Sequence, residues 1–252
     1  LGFNSAMTLW ELAAQERLKE IGAVLRGEAV LSMFERVVAR VWKVNVDRFE
    51  PSEVGDTNRS LGITAAENIR SLIVREAWDA ANPVGLGSGV KVTAPNDSLL
   101  VEVAGVRLHV MKSAPAIALT EPDWDVDFRW AGESEVRKDA ATANTACVGN
   151  YLAVPGGLFE DEPAEEGAAA RLREAMLVWA GGSNSPFTGG WIGLPVLGER
   201  PWLAVENVWW HKPGTSSPGS REGEGPAADT FSARDLPSVA VALKQRPRTA
   251  EQ

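Results

Sequence analysis

The sequence predicts an α+β domain: N-terminal helices, a largely antiparallel sheet built from two hairpins with helices packed on it, and a flexible C-terminal tail. Three observations carry this reading. Apolar residues recur at helical spacing up to about residue 82. Two β-rich runs then flank the short turn Ala104–Gly105. Strands and helices do not alternate strictly, as a doubly wound parallel sheet would require.

The first helix spans 8–26. Thr8 and Glu11 have the spacing of a capping box. Trp10, Ala14, Leu18, Ile21 and Leu25 then form one stripe, and Gly27 interrupts it. A second helix over 28–42 places Val30, Phe34, Val37 and Val41 together. A turn-rich stretch covers 49–63. A third helix opens at a second Thr/Glu box, Thr64 and Glu67, carries Ile69, Leu72, Ile73 and Trp78, and stops at Asn82–Pro83. The buried helix-face set is Trp10, Leu18, Ile21, Phe34, Val37, Ile69, Leu72, Met176 and Trp179.

"GVKVTA" (89–94) reads as a short strand, and "SLLVEV-AG-VRLHVMK" (98–112) as a hairpin. "PDWDVDFRW" (122–130) alternates apolar and charged residues with period two, which predicts a further strand. Helices follow over about 134–147 and 163–180. The second of these starts at Pro163, has Glu165 and Glu166 in its first turn, and stops at Gly181–Gly182. Residues 189–212 read as two strands around a Gly-Glu-Arg-Pro turn. The expected organisation is one domain over 7–212 (helical part 8–82, mixed part 84–212), a linker over 213–228 rich in Gly, Pro and Ser, and a tail over 229–252 that docks on its own domain or meets a partner.

The chain has 252 residues, 44% hydrophobic and 23% charged, the balance of an ordinary globular protein. No apolar run reaches the roughly 18–20 residues needed to span a bilayer, so no membrane association is expected. The N-terminus lacks the basic region and uninterrupted apolar core expected of a secretory signal, and Cys147 stands alone, so no intramolecular disulfide is expected. The expected location is cytoplasmic, and Cys147 reads as a packing residue. The net charge is −9. Between Glu121 and Glu166 lie twelve acidic and three basic residues, so this span alone carries the whole excess. Such a region repels nucleic-acid phosphates and favours a basic surface.

Several motifs have plainer readings. "VGLGSGV" (84–90) follows a helix and precedes a strand, the reverse of a phosphate loop. "SLGITAAENIRSL" (60–72) has the turn glycine, Gly62, of a helix-turn-helix, with Asn68 and Arg70 placed for bases, but its helix lacks a basic face. Asp97, Glu102 and Lys112 surround the first hairpin without nuclease spacing, since Val110 stands where an acid should. The two histidines, His109 and His211, lie on predicted strands, and no Gly-x-Ser-x-Gly accompanies them.

Two features remain. On a strand, Asp123, Asp125 and Asp127 would share one face, where they could hold Mg²⁺ or Mn²⁺ or simply be solvated. Trp191, Trp202, Trp209 and Trp210, with His211, concentrate ten-tryptophan aromatic content near the end of the domain. Trp209 and Trp210 are adjacent and must face opposite sides of a strand. The expected function is an accessory or binding protein that uses the acidic span and a Trp-lined surface to hold a protein or small-molecule partner, with no resident cofactor. The alternatives are a divalent-metal hydrolase or nuclease on the aspartates and a DNA-associated regulator using 60–79.

Overall fold

The structure is a computed structural model of the chain. It describes residues 9–78, 86–113, 121–148, 169–183 and 185–211, without the side chains of Leu9, Trp10, Asp97 and Ala131. These residues belong to the compact unit Leu1–Gly214. The expected linker and tail, the start of the 163–180 helix and the position of the Trp10 side chain lie outside the described residues.

Three helices open the chain: α1 (Leu9–Gly27), α2 (Val30–Asp47) and α3 (Asn58–Trp78). Leu18, Ile21, Phe34, Val37, Ile69 and Leu72 are buried along them, as the periodicity predicts. Between α1 and α2, Ala29 takes the left-handed conformation (φ 59°), which breaks the helical run one residue before α2. The start of α3 corrects the sequence reading. Thr57, not Thr64, opens it: Ser60 N donates to Thr57 Oγ1 (3.1 Å) and Thr57 N donates to Ser60 Oγ (3.0 Å). This reciprocal cap satisfies amide groups that the helix end leaves open. Gly62 therefore lies inside α3, buried, and no helix-turn-helix turn exists there. Asn68 and Arg70 are engaged within the fold, with Asn45 and Glu67 respectively.

Six strands form one sheet in chain order: β1 (Lys91–Thr93), β2 (Leu100–Val103), β3 (Val106–Lys112), β4 (Glu174–Gly181), β5 (Thr188–Pro195) and β6 (Trp202–Trp210). All neighbours are antiparallel except β3 and β4. Ala104 and Gly105, both with positive φ (47° and 76°), close the β2–β3 hairpin. A two-residue loop of this kind matches the twist of its strands. The link from β3 to its parallel neighbour β4 carries the fourth helix, α4 (Glu135–Val148). A parallel pair needs such a crossover.

Two predicted elements fail here. Residues 174–181 are a strand, not the end of a helix. "EAMLVWAG" is buried at every position, and a strand covered on both faces loses the period-two signal that separates it from a buried helix. Met176 and Trp179 are buried as expected, but on opposite faces of the sheet. Residues 123–127 are a turn, not a strand. Asp127 N donates to Asp123 O (2.8 Å) and Asp123 N to Asp127 Oδ2 (2.8 Å), so short acidic side chains compete for the backbone amides a sheet would use.

The sheet separates two cores. On one face, α1, α2 and α3 pack a mostly aliphatic set, with Phe34 and Trp42, onto Val101, Leu108, Val110, Leu177, Trp179, Ile192 and Leu194. On the other, Met111, Met176 and Val178 meet Ala140 and Ala141 of α4 with Phe128, Trp130 and Trp202. No described helix is long and apolar enough to cross a membrane.

Candidate functional site

The α4 face holds most of the features with functional chemistry. The tryptophans of β5 and β6 meet there because β5 is written "TGGWIGLP", with glycines where indoles must lie flat on the sheet. A Cβ at Gly193 would come within 2.7 Å of Trp202, and one at Gly189 within 2.7 Å of Trp210. Trp202, Trp191, Trp124, Phe128 and Trp130 then pack mostly edge to face, with ring centroids 4.9–6.0 Å apart, while Trp124 stacks on Phe128 at 5.4 Å and 4°. Such arrangements suit the ring quadrupoles. Trp130 Nε1 donates to Pro201 O (2.9 Å), which ties the 121–132 segment to the β5–β6 link.

These contacts change the meaning of the tryptophan set. Trp191, Trp202 and Trp209 are buried, Trp210 and Trp124 reach the surface in part, and Trp78 at the end of α3, which the helical spacing set on the apolar side, is exposed instead. Trp209 points to the helical face, as its adjacency to Trp210 requires, and its ring occupies the space above Gly190. The three buried rings are core, so an open Trp-lined groove is not built from them. His211 continues β6 and is half-buried. Its Nε2 lies 3.0 Å from Glu35 Oε1 of α2, and its Nδ1 3.5 Å from Thr188 Oγ1. That order resembles a nucleophile–base–acid array. However, Thr188 is fully buried and its hydroxyl already accepts from Trp209 Nε1 (3.3 Å), so no substrate reaches it.

The acidic turn sits on the aromatic set. Asp125 N donates to Asp123 Oδ1 (3.2 Å), and Trp124 Nε1 to Glu121 Oε1 (3.1 Å). Asp123 and Asp127 thus spend carboxylate oxygens on the turn itself. Among the described residues, no three His, Cys, Asp or Glu side chains stand together as a metal site. At the crest Val126 is 61% exposed between Asp125 and Asp127. The hairpin carboxylate Glu102 and Lys112 lie on opposite faces of the sheet, because their positions differ in strand parity relative to the β2–β3 register.

A second polar feature had no sequence signal beyond its residue types. Lys91, Glu102, Arg107 and Glu174 are successive cross-strand partners on β1, β2, β3 and β4. They form an alternating row. Lys91 Nζ is 3.1 Å from Glu102, Arg107 Nε 3.7 Å from Glu102, and Arg107 Nη1 2.9 Å from Glu174 Oε1. The row ends inside the protein, where His109 Nε2 stands 2.8 Å from Glu174 Oε2. Side-chain exposure falls from 69% at Lys91 to 9% at Glu174 and 3% at His109. Asn144 of α4 closes the site by donating to the backbone oxygens of Glu174 (2.8 Å) and Pro195 (2.9 Å). An ionised carboxylate only accepts, so Nε2 carries a proton and, in the neutral ring, Nδ1 keeps a lone pair. Among the described residues, that Nδ1 is buried with no hydrogen-bond partner.

Cys147 is half-buried, its Sγ 3.6 Å from Arg171 O, consistent with a packing role. No protein-family model, curated protein or solved structure matches the chain.

Proposed function

We propose that this protein is a binding protein that docks a basic partner on the acidic turn 121–127. The observation that carries this reading is the exposed Val126 flanked by Asp125 and Asp127, on a turn held from below by the Trp124–Phe128 stack. An apolar crest ringed by carboxylates offers both contact area and charge complementarity to a Lys/Arg-rich segment. A turn already locked by its own hydrogen bonds loses little further entropy on binding. The charge balance supports the same partner, since the surplus of negative charge lies in the span that begins at Glu121.

The test is titration of a Lys/Arg-rich peptide into the full chain, followed by tryptophan fluorescence, to which the half-buried Trp124 contributes. Saturable binding should weaken as salt rises. The double variant Asp125→Lys, Val126→Asp should lose at least about tenfold in affinity, or roughly 1.4 kcal/mol, with an unchanged melting temperature. Asp123 and Asp127 are left intact because they hold the turn. Binding indifferent to both salt and the variant would refute the reading.

A further inference from the structure

We propose that His109, Met111 and Met176 form a binding site for the cuprous ion. The chain has four methionines and two histidines. Two of those methionines flank the buried histidine on one face of the sheet. Met176 is the direct cross-strand partner of His109 in the parallel β3–β4 pair. Met111 follows two residues later on the same strand and so shares the face. Both thioethers belong to the core beneath α4, with Trp130 and Trp202.

Methionine alone would mean only packing, since it fills irregular cores. The imidazole is what changes the reading. Buried polar atoms are nearly always paired, and an orphan calls for a partner. His109 is 3% exposed, and its Nδ1 has none among the described residues. The two ring nitrogens point in divergent directions. Nε2 is taken by Glu174, which lies across from Arg107, on the side of His109 away from Met111.

Donor chemistry selects the ion. One neutral imidazole and two thioethers are soft, uncharged donors. Mg²⁺, Mn²⁺ and Ca²⁺ require oxygen ligands, and Zn²⁺ sites are built from thiolate, imidazole and carboxylate. Thioethers favour Cu(I). The Glu174 carboxylate behind the ring is the outer partner a metal-bound histidine usually has: it fixes the tautomer and the orientation of the ring. Arg107 in turn holds Glu174 from the solvent side (2.9 Å).

The experiment is anaerobic competition between the full chain and a chromophoric Cu(I) chelator under reducing conditions, incubated to equilibrium because the donors are buried. One equivalent of Cu(I) should pass to the protein, with quenching of tryptophan fluorescence and sulfur scatterers in the copper X-ray absorption spectrum. The volume-conserving pair Met111→Leu, Met176→Leu should keep the circular dichroism of the wild type and lose at least about 100-fold in Cu(I) affinity, roughly 2.7 kcal/mol by the tenfold rule. Cys147→Ser and Met33→Leu should bind as the wild type does. Mg²⁺ and Mn²⁺ should neither compete nor shift the melting temperature. Copper left wholly on the chelator, binding that survives the double Leu variant, or binding lost with Cys147→Ser would each overturn the proposal.

Discussion

The two faces of the sheet are assembled by different physics. The helical face is mostly aliphatic. Leucine, isoleucine and valine from α1–α3 meet the same residue types on β2–β5, with Phe34, Trp42, Trp179 and Trp209 set among them, and burial of apolar surface drives the arrangement. The α4 face combines an indole cluster, with Trp202 and Trp210 over Gly193 and Gly189, with a charged row that runs from the edge strand β1 to a buried histidine. A nonpolar core tolerates approximate complementarity, whereas a buried polar row must satisfy each partner or lose stability. The candidate functional chemistry therefore gathers on the face whose geometry is most tightly specified.

The largest expected effects compare the two faces directly. Trp179 is buried on the helical face, edge to face with Trp42 at 5.9 Å. Trp179→Ala should cost ~3–5 kcal/mol, as for a large aromatic leaving a cavity. Chemical denaturation should show that loss at low and high salt alike. Glu174→Ala on the opposite face removes the acceptor between Arg107 and His109. It should cost about 2–3 kcal/mol, less than a fully buried pair because Arg107 reaches solvent. Equal losses with equal salt dependence would erase the distinction between the faces.

The glycine slots come next. A Cβ at Gly190 would come within 2.3 Å of the Trp209 ring. Gly190→Ala should destabilise by about 1–3 kcal/mol through overpacking. Trp209→Phe, which removes the far edge of the indole, should restore part of that loss in a double-mutant cycle. Strict additivity of the two changes would mean that the glycine does not make room for the ring.

A smaller effect concerns pH. Burial pushes the Lys112 ammonium below its ordinary pKa. In the window between the lowered folded value and the higher unfolded one, the unfolded chain holds more protons, so stability should rise with pH there. Lys112→Met should remove that rise, and thermal melts across the alkaline range would measure it. A wild-type melting temperature that falls throughout the window would contradict this assignment.

The smallest change lies at the outer end of the row. Lys91 is largely exposed, and Lys91→Ala should shift stability by less than about 1 kcal/mol. A loss as large as that of Glu174→Ala would show that the row acts as one unit rather than as a gradient from surface to core.

Much of the fold can be read directly along the chain. The stripes Leu18–Ile21–Leu25, Phe34–Val37–Val41 and Ile69–Leu72–Ile73 fall on helices because a single element with one wet face records its geometry as a period. The turn Ala104–Gly105 and the two strands around Gly198 are legible for the same reason: local conformation and local sequence agree. The opposite orientation of Trp209 and Trp210 follows from strand geometry alone.

Other features depend on what each segment meets in space. β4 is buried on both faces, so "EAMLVWAG" carries no period that distinguishes strand from helix; its parallel neighbour β3 decides its conformation. "DWDVD" has the strand period, yet its carboxylates turn back on their own amides and Trp124 is held on Phe128. The charged row is the clearest case. Lys91, Glu102, Arg107 and Glu174 are spread over more than eighty residues, and only strand register places them side by side, with His109 at the inner end. Composition and periodicity determine which surfaces must be buried. Register, set by the whole sheet closing at once, determines which polar groups are buried together, because a shift of one residue would turn every one of them to the opposite face.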